Sequence, residues 1–445
     1  MMKINGIAPG GTGYGEQDGR RIYVSGALPG DSVKLGRIRE YRGRRIGAAR
    51  SIERGDSRRE APCELFGRCG GCAWQDVVYS DQVRLKREIV AEAFREKGME
   101  PAIEPILPSP EEFRYRNRVD FAFGNGEDGP VIGLYERSDP RDRSHQLPEV
   151  CPVTDCRLVD ETTNAIRGII EGALKGSRLR AYNPVTRSGV LRSLEIRKGQ
   201  TGHRVSLTVA NDKHVPVESL GDCLKEDGRV DSFAVRVSRS RSRHAPPKRE
   251  IQVFGADTQT MQILDSKIAF SGGDFSQVNT HQIGNLYRTA VGLARPSEAD
   301  SVLDLYCGVG ALSIALSRTA KEVRGIEREN AAVITARSNA TVNEAVNCVF
   351  EPGDAADLKK WGELSNYSVV TVNPPRAGLD AGVVEGIAAT RAERVVYVSC
   401  NPETLARDCK RLTSHHYAIS SVHPVDMFPQ TIHVETVVLL ERVRG

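Results

Sequence analysis

Apolar and polar positions follow three different patterns along the chain. Over residues 4–52, short apolar runs are separated by turns rich in Gly, Pro and Asp, which is typical of a small β-barrel. Residues 113–252 alternate β-like runs with one helical segment near 161–174. From about residue 254 onward, apolar strands alternate regularly with helical segments. This last pattern predicts a doubly wound α/β domain.

A further helix is predicted between the first two patterns. Over residues 79–97, Val83, Ile89, Val90 and Phe94 line one side of an amphipathic helix. The length of 445 residues corresponds to roughly three domains. We therefore expect an N-terminal barrel (residues 1–55), a central α+β domain (56–253) and a C-terminal α/β domain (254–445).

The composition is that of an ordinary globular protein, with 39% apolar and 27% charged residues. It excludes collagen-like, mostly disordered and small disulfide-rich proteins. No apolar run approaches the ~18 residues of a membrane span, and the N-terminus lacks the apolar core of a signal peptide. We expect a cytoplasmic protein with no membrane partner, and the sequence implies no protein partner.

Positive charge is concentrated near the N-terminus. Between Lys34 and Arg59 there are ten basic and three acidic residues. Such a stretch is either a solvated surface or a surface that binds the phosphates of a nucleic acid. The interleaved glycines and Tyr41 favour nucleic-acid binding.

Ten cysteines in a cytoplasmic protein indicate metal binding or catalysis rather than disulfides. Cys63, Cys69 and Cys72 have the spacing Cys-x5-Cys-x2-Cys, and a fourth ligand would come from further along the chain. Four thiolates suit either Zn²⁺ or an iron–sulfur cluster. Because zinc sites more often pair two short Cys-x2-Cys hooks, one triplet with a distant fourth cysteine favours a cluster.

A glycine-rich turn follows an apolar strand in the C-terminal domain. The segment from Asp304 to Gly310 ends in Gly-Val-Gly and opens a helix, and Glu327 ends the next strand. Glycines let the backbone approach a ligand, and an acidic residue there can bind ribose hydroxyls. Ser313 stands where a dinucleotide fingerprint has its third glycine, so S-adenosylmethionine is favoured over NAD.

Three other strand ends carry side chains that are suited to catalysis or ligand binding. Cys400, in a Ser-Cys-Asn-Pro sequence, would lie at the crevice formed by the carboxyl ends of the strands, as would Asn373 in an Asn-Pro-Pro-Arg sequence. Glu435 begins an apolar strand, where a carboxylate is costly unless it is exposed or used. We interpret Cys400 as a nucleophile and Glu435 as a base. The alternatives are a small buried cysteine and a stiff proline loop.

These motifs, in this order, resemble the RNA uracil-5-methyltransferase family. The cysteine triplet and the glycine-rich N-terminus narrow the resemblance to the ribosomal-RNA branch, which has an N-terminal RNA-binding TRAM domain and a [4Fe-4S] cluster. The resemblance therefore implies a Rossmann-like methyltransferase domain that uses S-adenosylmethionine and acts on RNA, most specifically ribosomal RNA.

The resemblance also implies roles for individual residues. Cys400 would be the nucleophile that adds to C6 of uracil, and Glu435 would remove the C5 proton. The residues that would bind S-adenosylmethionine are Gln277, Tyr306, Glu327 and Asn373. The cluster ligands would be Cys63, Cys69, Cys72 and Cys151, with Cys156 as the alternative fourth ligand.

Two positions depart from the family pattern. The family usually has Asp where this chain has Asn373, and often has Asn where this chain has Ala311. The alternatives are therefore methylation of a transfer-RNA uridine or of an RNA cytosine at C5, or a cluster-containing RNA-binding protein that has lost catalysis. A radical enzyme that uses S-adenosylmethionine would need a Cys-x3-Cys-x2-Cys triplet, which this chain lacks.

Overall fold

The computed structural model describes residues 1–137, 149–240, 249–357, 361 and 363–443. An N-terminal six-stranded sheet has the strand order β1-β5-β6-β4-β3-β2. Its strands are β1 (Met2–Lys3), β2 (Gly6–Ile7), β3 (Gly13–Gln17), β4 (Arg20–Val24), β5 (Ser32–Tyr41) and β6 (Arg44–Glu53). The all-β prediction for this segment is confirmed, while its assignment as a TRAM barrel stays a prediction.

The hairpin between β5 and β6 has a local cause. Its two turn residues, Arg42 and Gly43, have φ of 49° and 76°, and both therefore lie in the left-handed region that tight two-residue hairpins require. Tyr41 pairs with Arg44 across the turn. The arginines of this segment are therefore carried on two long antiparallel strands.

The predicted amphipathic helix is α1 (Tyr79–Arg95), which ends two residues earlier than expected. It contacts two different bodies. Leu85 and Ile89 pack with Ile7 of the N-terminal sheet, while Val90 and Phe94 join a core beneath the C-terminal sheet. Although α1 precedes the central sheet in sequence, it therefore packs between the first and last parts of the chain.

The central part of the chain forms a seven-stranded sheet with the order β13-β12-β11-β10-β7-β8-β9. Helix α2 (Glu161–Leu174) has the predicted bounds and is capped by Asp160, which accepts a hydrogen bond from the Thr163 backbone N–H. The second helix is α3 (Val217–Asp227). The strands are β7 (Arg118–Gly126), β8 (Gly129–Tyr135), β9 (Val150–Pro152), β10 (Leu191–Lys198), β11 (His203–Val209), β12 (Val230–Val237) and β13 (Arg249–Phe254).

A two-stranded hairpin, β14 (Thr258–Ile263) and β15 (Ser266–Ser271), leads into the C-terminal sheet. That sheet contains β16 (Ser301–Leu305), β17 (Glu322–Glu327), β18 (Cys348–Pro352), β19 (Val369–Val372), β20 (Arg394–Ser399), β21 (Tyr417–Val425) and β22 (Glu435–Arg442). Its helices are α4 (Thr280–Ala294), α5 (Ala311–Ser317), α6 (Asn330–Val342), α7 (Ala381–Thr390) and α8 (Pro402–Thr413).

The C-terminal sheet has the order β18-β17-β16-β19-β20-β22-β21. Its first five strands are parallel, and β22 and β21 complete it in antiparallel pairing. Side chains on one face pack with α4, α5 and α6, and those on the other face pack with α1, α7 and α8. Because both faces are covered, the central strands β16, β19 and β20 are mostly apolar. The doubly wound prediction is confirmed, and the strand order reverses direction between β16 and β19, where such sheets bind ligands.

No helix in the part of the chain that the structure describes is long and apolar enough to cross a membrane.

Candidate active site

The turn after β16 is built from left-handed residues. Tyr306, Gly308 and Gly310 have φ of 60°, 56° and 82°. A Cβ at Gly308 would meet no atom within 4 Å, whereas a Cβ at Gly310 would lie 2.7 Å from Cζ of Phe350. Gly310 is therefore required for packing, while Gly308 faces open space at the carboxyl edge of the sheet.

The buried side chain of Asp304 stabilises this turn. Its carboxylate is buried and accepts hydrogen bonds from Ser313 Oγ at 2.5 Å and Thr371 Oγ1 at 2.6 Å. Burial raises the pKa of Asp304 to about 6. Asp304 therefore joins β16 to α5 and β19, and its side chain does not face the crevice.

Glu327 and Asn373 stand at neighbouring strand ends. Glu327 ends β17, and its two carboxylate oxygens accept hydrogen bonds from the backbone N–H groups of Gly308 (3.1 Å) and Glu329 (2.9 Å). Asn373 directly follows β19, and its N–H donates to the carbonyl of Leu305 at 3.4 Å. The structure thus brings Glu327, Asn373 and the glycine turn to one edge of the sheet.

Gln277 lies two residues before a contact with the loop that leads to Glu435. It precedes α4, which runs back to the start of β16, and Asn279 Nδ2 donates to the Met427 carbonyl at 3.3 Å beside the loop that leads to Glu435. Gln277 is buried, and its carbonyl accepts a hydrogen bond from Asn117 Nδ2 at 3.1 Å.

Cys400 and Glu435 lie on facing strand ends. Ser399 of β20 pairs with Thr436 of β22 in antiparallel register. Cys400 follows Ser399 and Glu435 precedes Thr436, so the two residues stand opposite each other. Glu435 is buried, and its Oε2 has no hydrogen-bond partner within the described chain. Burial raises the pKa of Glu435 to about 7, although the charge of Arg376 opposes the shift. This combination is typical of a carboxyl that exchanges protons near neutral pH.

The electrostatic surroundings of Cys400 are mixed. The side chain is half-buried. Burial and the neighbouring Glu435 raise the pKa of the Cys400 thiol, while the charge and a side-chain hydrogen bond of Arg376 lower it. Arg376 therefore favours the thiolate that a nucleophile requires.

Arg376 is the functional side chain that the sequence analysis missed. It stands three residues after Asn373 in the Asn-Pro-Pro-Arg sequence. Its place in this strand-end motif is the feature of the sequence that could have identified it. Its Nη2 lies 3.0 Å from Nδ1 of His433. Burial, and then the charge of Arg376, lower the pKa of His433 to about 4, so this imidazole is neutral at pH 7.

The turn after β19 is fixed to the turn after β20. Asn401 Nδ2 and Thr404 Oγ1 both donate to the Arg376 carbonyl, at 3.0 and 3.2 Å. Asn401 also caps α8 by accepting from the Glu403 N–H, and Pro402 occupies the first helical turn. The residues after Cys400 therefore hold Arg376 beside the thiol.

A cavity of about 140 Å³ lies in the cysteine-rich segment. Its lining includes Cys63, Cys69, Cys72 and Cys156, whereas Cys151 is buried on β9 and is absent from the lining. All ten cysteines are free of disulfides. Within the described ranges, no group of three or more Cys, His, Asp or Glu is arranged to hold a metal ion.

The basic N-terminal stretch divides into structural and exposed residues. Arg58 is buried between Asp31 and Asp76, at 2.7 and 2.8 Å. By contrast, Arg37 and Arg39 are exposed and have no carboxylate partner in the described part of the chain. Only part of the predicted positive surface is therefore available to a ligand.

Comparison with known proteins identifies the family. The tRNA (uracil-5-)-methyltransferase family matches residues 224–443. An uncharacterized RNA methyltransferase of Gloeobacter violaceus is 36% identical over 99% of this chain and 96% of its own length, and one of Halalkalibacterium halodurans is 32% identical over 99% and 96%. The crystal structure of Pyrococcus abyssi tRNA (uracil-54, C5)-methyltransferase in complex with S-adenosyl-L-homocysteine is similar at a TM-score of 0.75 and 27% identity, over 99% of this chain and 98% of that one. The chain therefore belongs to the family of S-adenosylmethionine-dependent RNA (uracil-5-)-methyltransferases.

Proposed function

We propose that this protein methylates C5 of a uridine in RNA through a covalent bond between Cys400 and C6 of the base. The observation that carries the proposal is the placement of Cys400 opposite the buried carboxyl of Glu435, with Arg376 beside both. A nucleophile, a base and a cation at one crevice are the groups that this reaction needs.

The edge formed by β16, β17 and β19 fits S-adenosylmethionine. Gly308 borders open space, and Glu327 provides carboxylate oxygens suited to ribose hydroxyls. Gln277, Tyr306, Glu327 and Asn373 would hold the molecule, which supplies the methyl group when bound. Calorimetry should detect this binding, and its absence would support the alternative of a protein that has lost catalysis.

The side chains perform complementary steps. The target base must leave its stack to reach the crevice. The Cys400 thiolate then forms a bond to C6, and the electron pair displaced from the C5–C6 double bond makes C5 nucleophilic enough to accept the methyl group. Glu435 takes the proton from C5, the double bond re-forms, and the bond between C6 and the sulfur breaks. Arg376 stabilises the thiolate before the first step and after the last.

Two substitutions test this mechanism. We expect Cys400→Ala to abolish methylation, because no thiolate can add to C6. We expect Glu435→Gln to stall after methyl transfer, so that an enzyme–RNA adduct resistant to denaturation accumulates. Cys223→Ala, a half-buried cysteine on α3, is the matched control and should methylate normally. Wild-type turnover by Cys400→Ala would contradict the proposal.

For the target, we propose a class of RNA and not a particular nucleotide. The resemblance to the ribosomal-RNA branch favours ribosomal RNA, most specifically 23S. Transfer RNA is the second candidate, because the similar Pyrococcus abyssi protein is named for uracil-54 of tRNA. Mass-spectrometric mapping of both RNA classes from cells lacking the protein distinguishes the two. Loss of 5-methylcytidine instead would assign cytosine as the target base, in line with Asn373.

For the cysteine cavity, we propose a [4Fe-4S] cluster held by Cys63, Cys69, Cys72 and Cys156. The cavity lining supports Cys156 over Cys151 as the fourth ligand. Tetrahedral zinc would need four sulfurs within about 4 Å of one another, and no group in the described ranges is arranged to hold a single metal ion. A cluster spreads its thiolates over several irons and therefore suits cysteines that lie further apart. Iron and sulfide content should fall in Cys156→Ser and remain in Cys151→Ser, and the reverse result would restore Cys151.

A further inference from the structure

The loop of residues 426–434 joins β21 to β22 and leads directly into Glu435. We call it the base loop. It carries His433, which contacts Arg376, and Gln430, whose φ of 68° places it in the left-handed region. A non-glycine residue persists there only when its surroundings hold it. Because Glu435 pairs with Val425, the base loop begins and ends beside Glu435, and its contacts constrain where Glu435 lies.

Gln430 is held by residues that precede it by more than three hundred positions. Its carbonyl accepts hydrogen bonds from the backbone N–H groups of Ala73 and Trp74, both at 3.0 Å. Its N–H donates to Gln82 Oε1 at 2.9 Å, and Gln82 Nε2 donates back to its side-chain oxygen at 2.9 Å. Gln82 and Gln430 are both completely buried.

Gln82 also contacts the turn that follows the cysteine triplet. Its Nε2 lies 2.9 Å from the Trp74 carbonyl and 3.0 Å from the Val77 carbonyl. One amide on α1 therefore joins the cysteine-rich segment to the base loop. Because buried polar networks are costly when partly satisfied, this network favours a single position of the loop.

Other anchors hold the first half of the same loop. Lys86 Nζ lies 2.6 Å from Asp426 Oδ1 and donates to the Phe428 carbonyl at 2.9 Å. The Tyr115 hydroxyl donates to the Pro429 carbonyl at 3.0 Å. Gln82 is distinct among these anchors because it bonds both the backbone and the side chain of Gln430.

We propose that Gln82 is a positioning residue that acts through Gln430 to place the Glu435 carboxyl against the reacting base. This inference rests on the proposed function, since it assumes that Glu435 removes the C5 proton. Gln82 lies on α1 and is completely buried, so its side chain has no surface on which to contact RNA or the methyl donor. Its loss should therefore slow the step that Glu435 performs and leave earlier steps intact.

The test uses the full-length protein and three variants. Gln82→Leu keeps the side-chain volume and removes every hydrogen bond. Gln430→Asn tolerates the left-handed conformation and removes the side-chain hydrogen bond to Gln82, while the backbone N–H at this position still donates to Gln82 Oε1. Gln259→Leu is the matched control, because Gln259 is also buried, on β14, and its Nε2 lies 3.5 Å from the Gly202 carbonyl.

We expect Gln82→Leu to lower kcat by about 100-fold, the effect of a misplacement of about 1 Å, with KM for RNA unchanged. Like Glu435→Gln, it should accumulate the denaturation-resistant enzyme–RNA adduct. Gln430→Asn should show the same defect to a smaller extent, because it keeps the backbone bond, and the double variant should be no slower than Gln82→Leu, which already removes both bonds. Gln259→Leu should retain wild-type kcat.

Three results would overturn the inference: wild-type kcat in both single variants, a loss of kcat without accumulation of the adduct, or additive losses in the double variant. If Gln82→Leu does not fold, Gln430→Asn alone decides by the same criteria. If Glu435→Gln accumulates no adduct, the proposed role of Glu435 fails and the inference with it. If the adduct is missing only from the Gln82 and Gln430 variants, the inference alone fails.

Discussion

Burial of Glu435 beside Cys400 gives both side chains a dependence on pH. The pKa of Glu435 is raised to about 7, so below that pH the carboxyl holds a proton and cannot accept another from C5. The pKa of the Cys400 thiol is raised above its ordinary value of 9.0, so the thiolate fraction also grows as pH increases. A rise in pH therefore increases both the fraction of Glu435 that can accept a proton and the fraction of Cys400 that is a thiolate.

We therefore expect the single-turnover rate at which free methylated RNA is released to rise continuously from pH 6 to pH 9. Measurement of rates at saturating RNA across this range checks the prediction. Adduct formation precedes the Glu435 step, so in the wild type and in Glu435→Gln alike it should follow the ionisation of Cys400 alone. A rate that is flat or falls over this interval would contradict the assigned roles.

At the scale of single residues, the sequence identified groups that stand at strand ends. Cys400, Glu327 and Asn373 follow or end apolar strands, and parallel strands end at one edge, so their proximity follows from the pattern. The role of Arg376 could not be derived in this way. Its position beside Cys400 depends on hydrogen bonds from the next turn, and such tertiary contacts leave no periodic signal.

At the scale of elements, α1 combines a correct local prediction with an unforeseen environment. Its apolar spacing predicts a helix and one buried face. Lys86 reads as a polar residue, yet its side chain is completely buried against Asp426, 340 residues later. Since nothing local distinguishes Lys86 from an exposed lysine, the pairing of α1 with the base loop was not predictable.

The Lys86–Asp426 pair makes a stability prediction. Lys86→Met should reduce the free energy of unfolding by about 3–5 kcal/mol, because it leaves the Asp426 carboxylate buried and unpaired. Arg84→Met is the control on the same helix. Arg84 is exposed beside Asp81 and Glu88, so its loss should cost less than about 1 kcal/mol. Denaturant unfolding of both variants measures the difference, and equal losses would show that burial of the pair has no special effect.

At the scale of the whole molecule, the chain folds back on itself. The cysteine-rich segment and α1 come early in the sequence but contact the base loop of the C-terminal sheet. Periodicity identified each body separately and gave the ends of α2, β16 and β17 correctly. It could not show which bodies touch, and for the same reason it did not distinguish Cys156 from Cys151.

This arrangement leaves the exposed arginines of the N-terminal sheet free to bind RNA outside the crevice. Arg37 and Arg39 on β5 and Arg50 on β6 are exposed, and none has a carboxylate partner among the described residues. Each phosphate contact to single-stranded RNA contributes about 0.7 to the slope of log affinity against log salt concentration. The number of arginines that contact phosphates can therefore be tested by measuring this slope.

Replacing Arg37, Arg39 and Arg50 together with alanine should weaken RNA binding and reduce that slope by about 2, provided that each arginine contacts one phosphate. Because the substitutions lie outside the crevice, kcat at saturating RNA should stay at the wild-type value. Arg229→Ala removes an arginine already paired with Asp227 and serves as the control, with an unchanged slope. Affinities measured at several salt concentrations decide the matter: an unchanged slope in the triple variant would exclude these arginines from RNA binding, whereas a reduced slope with normal kcat assigns them to binding alone.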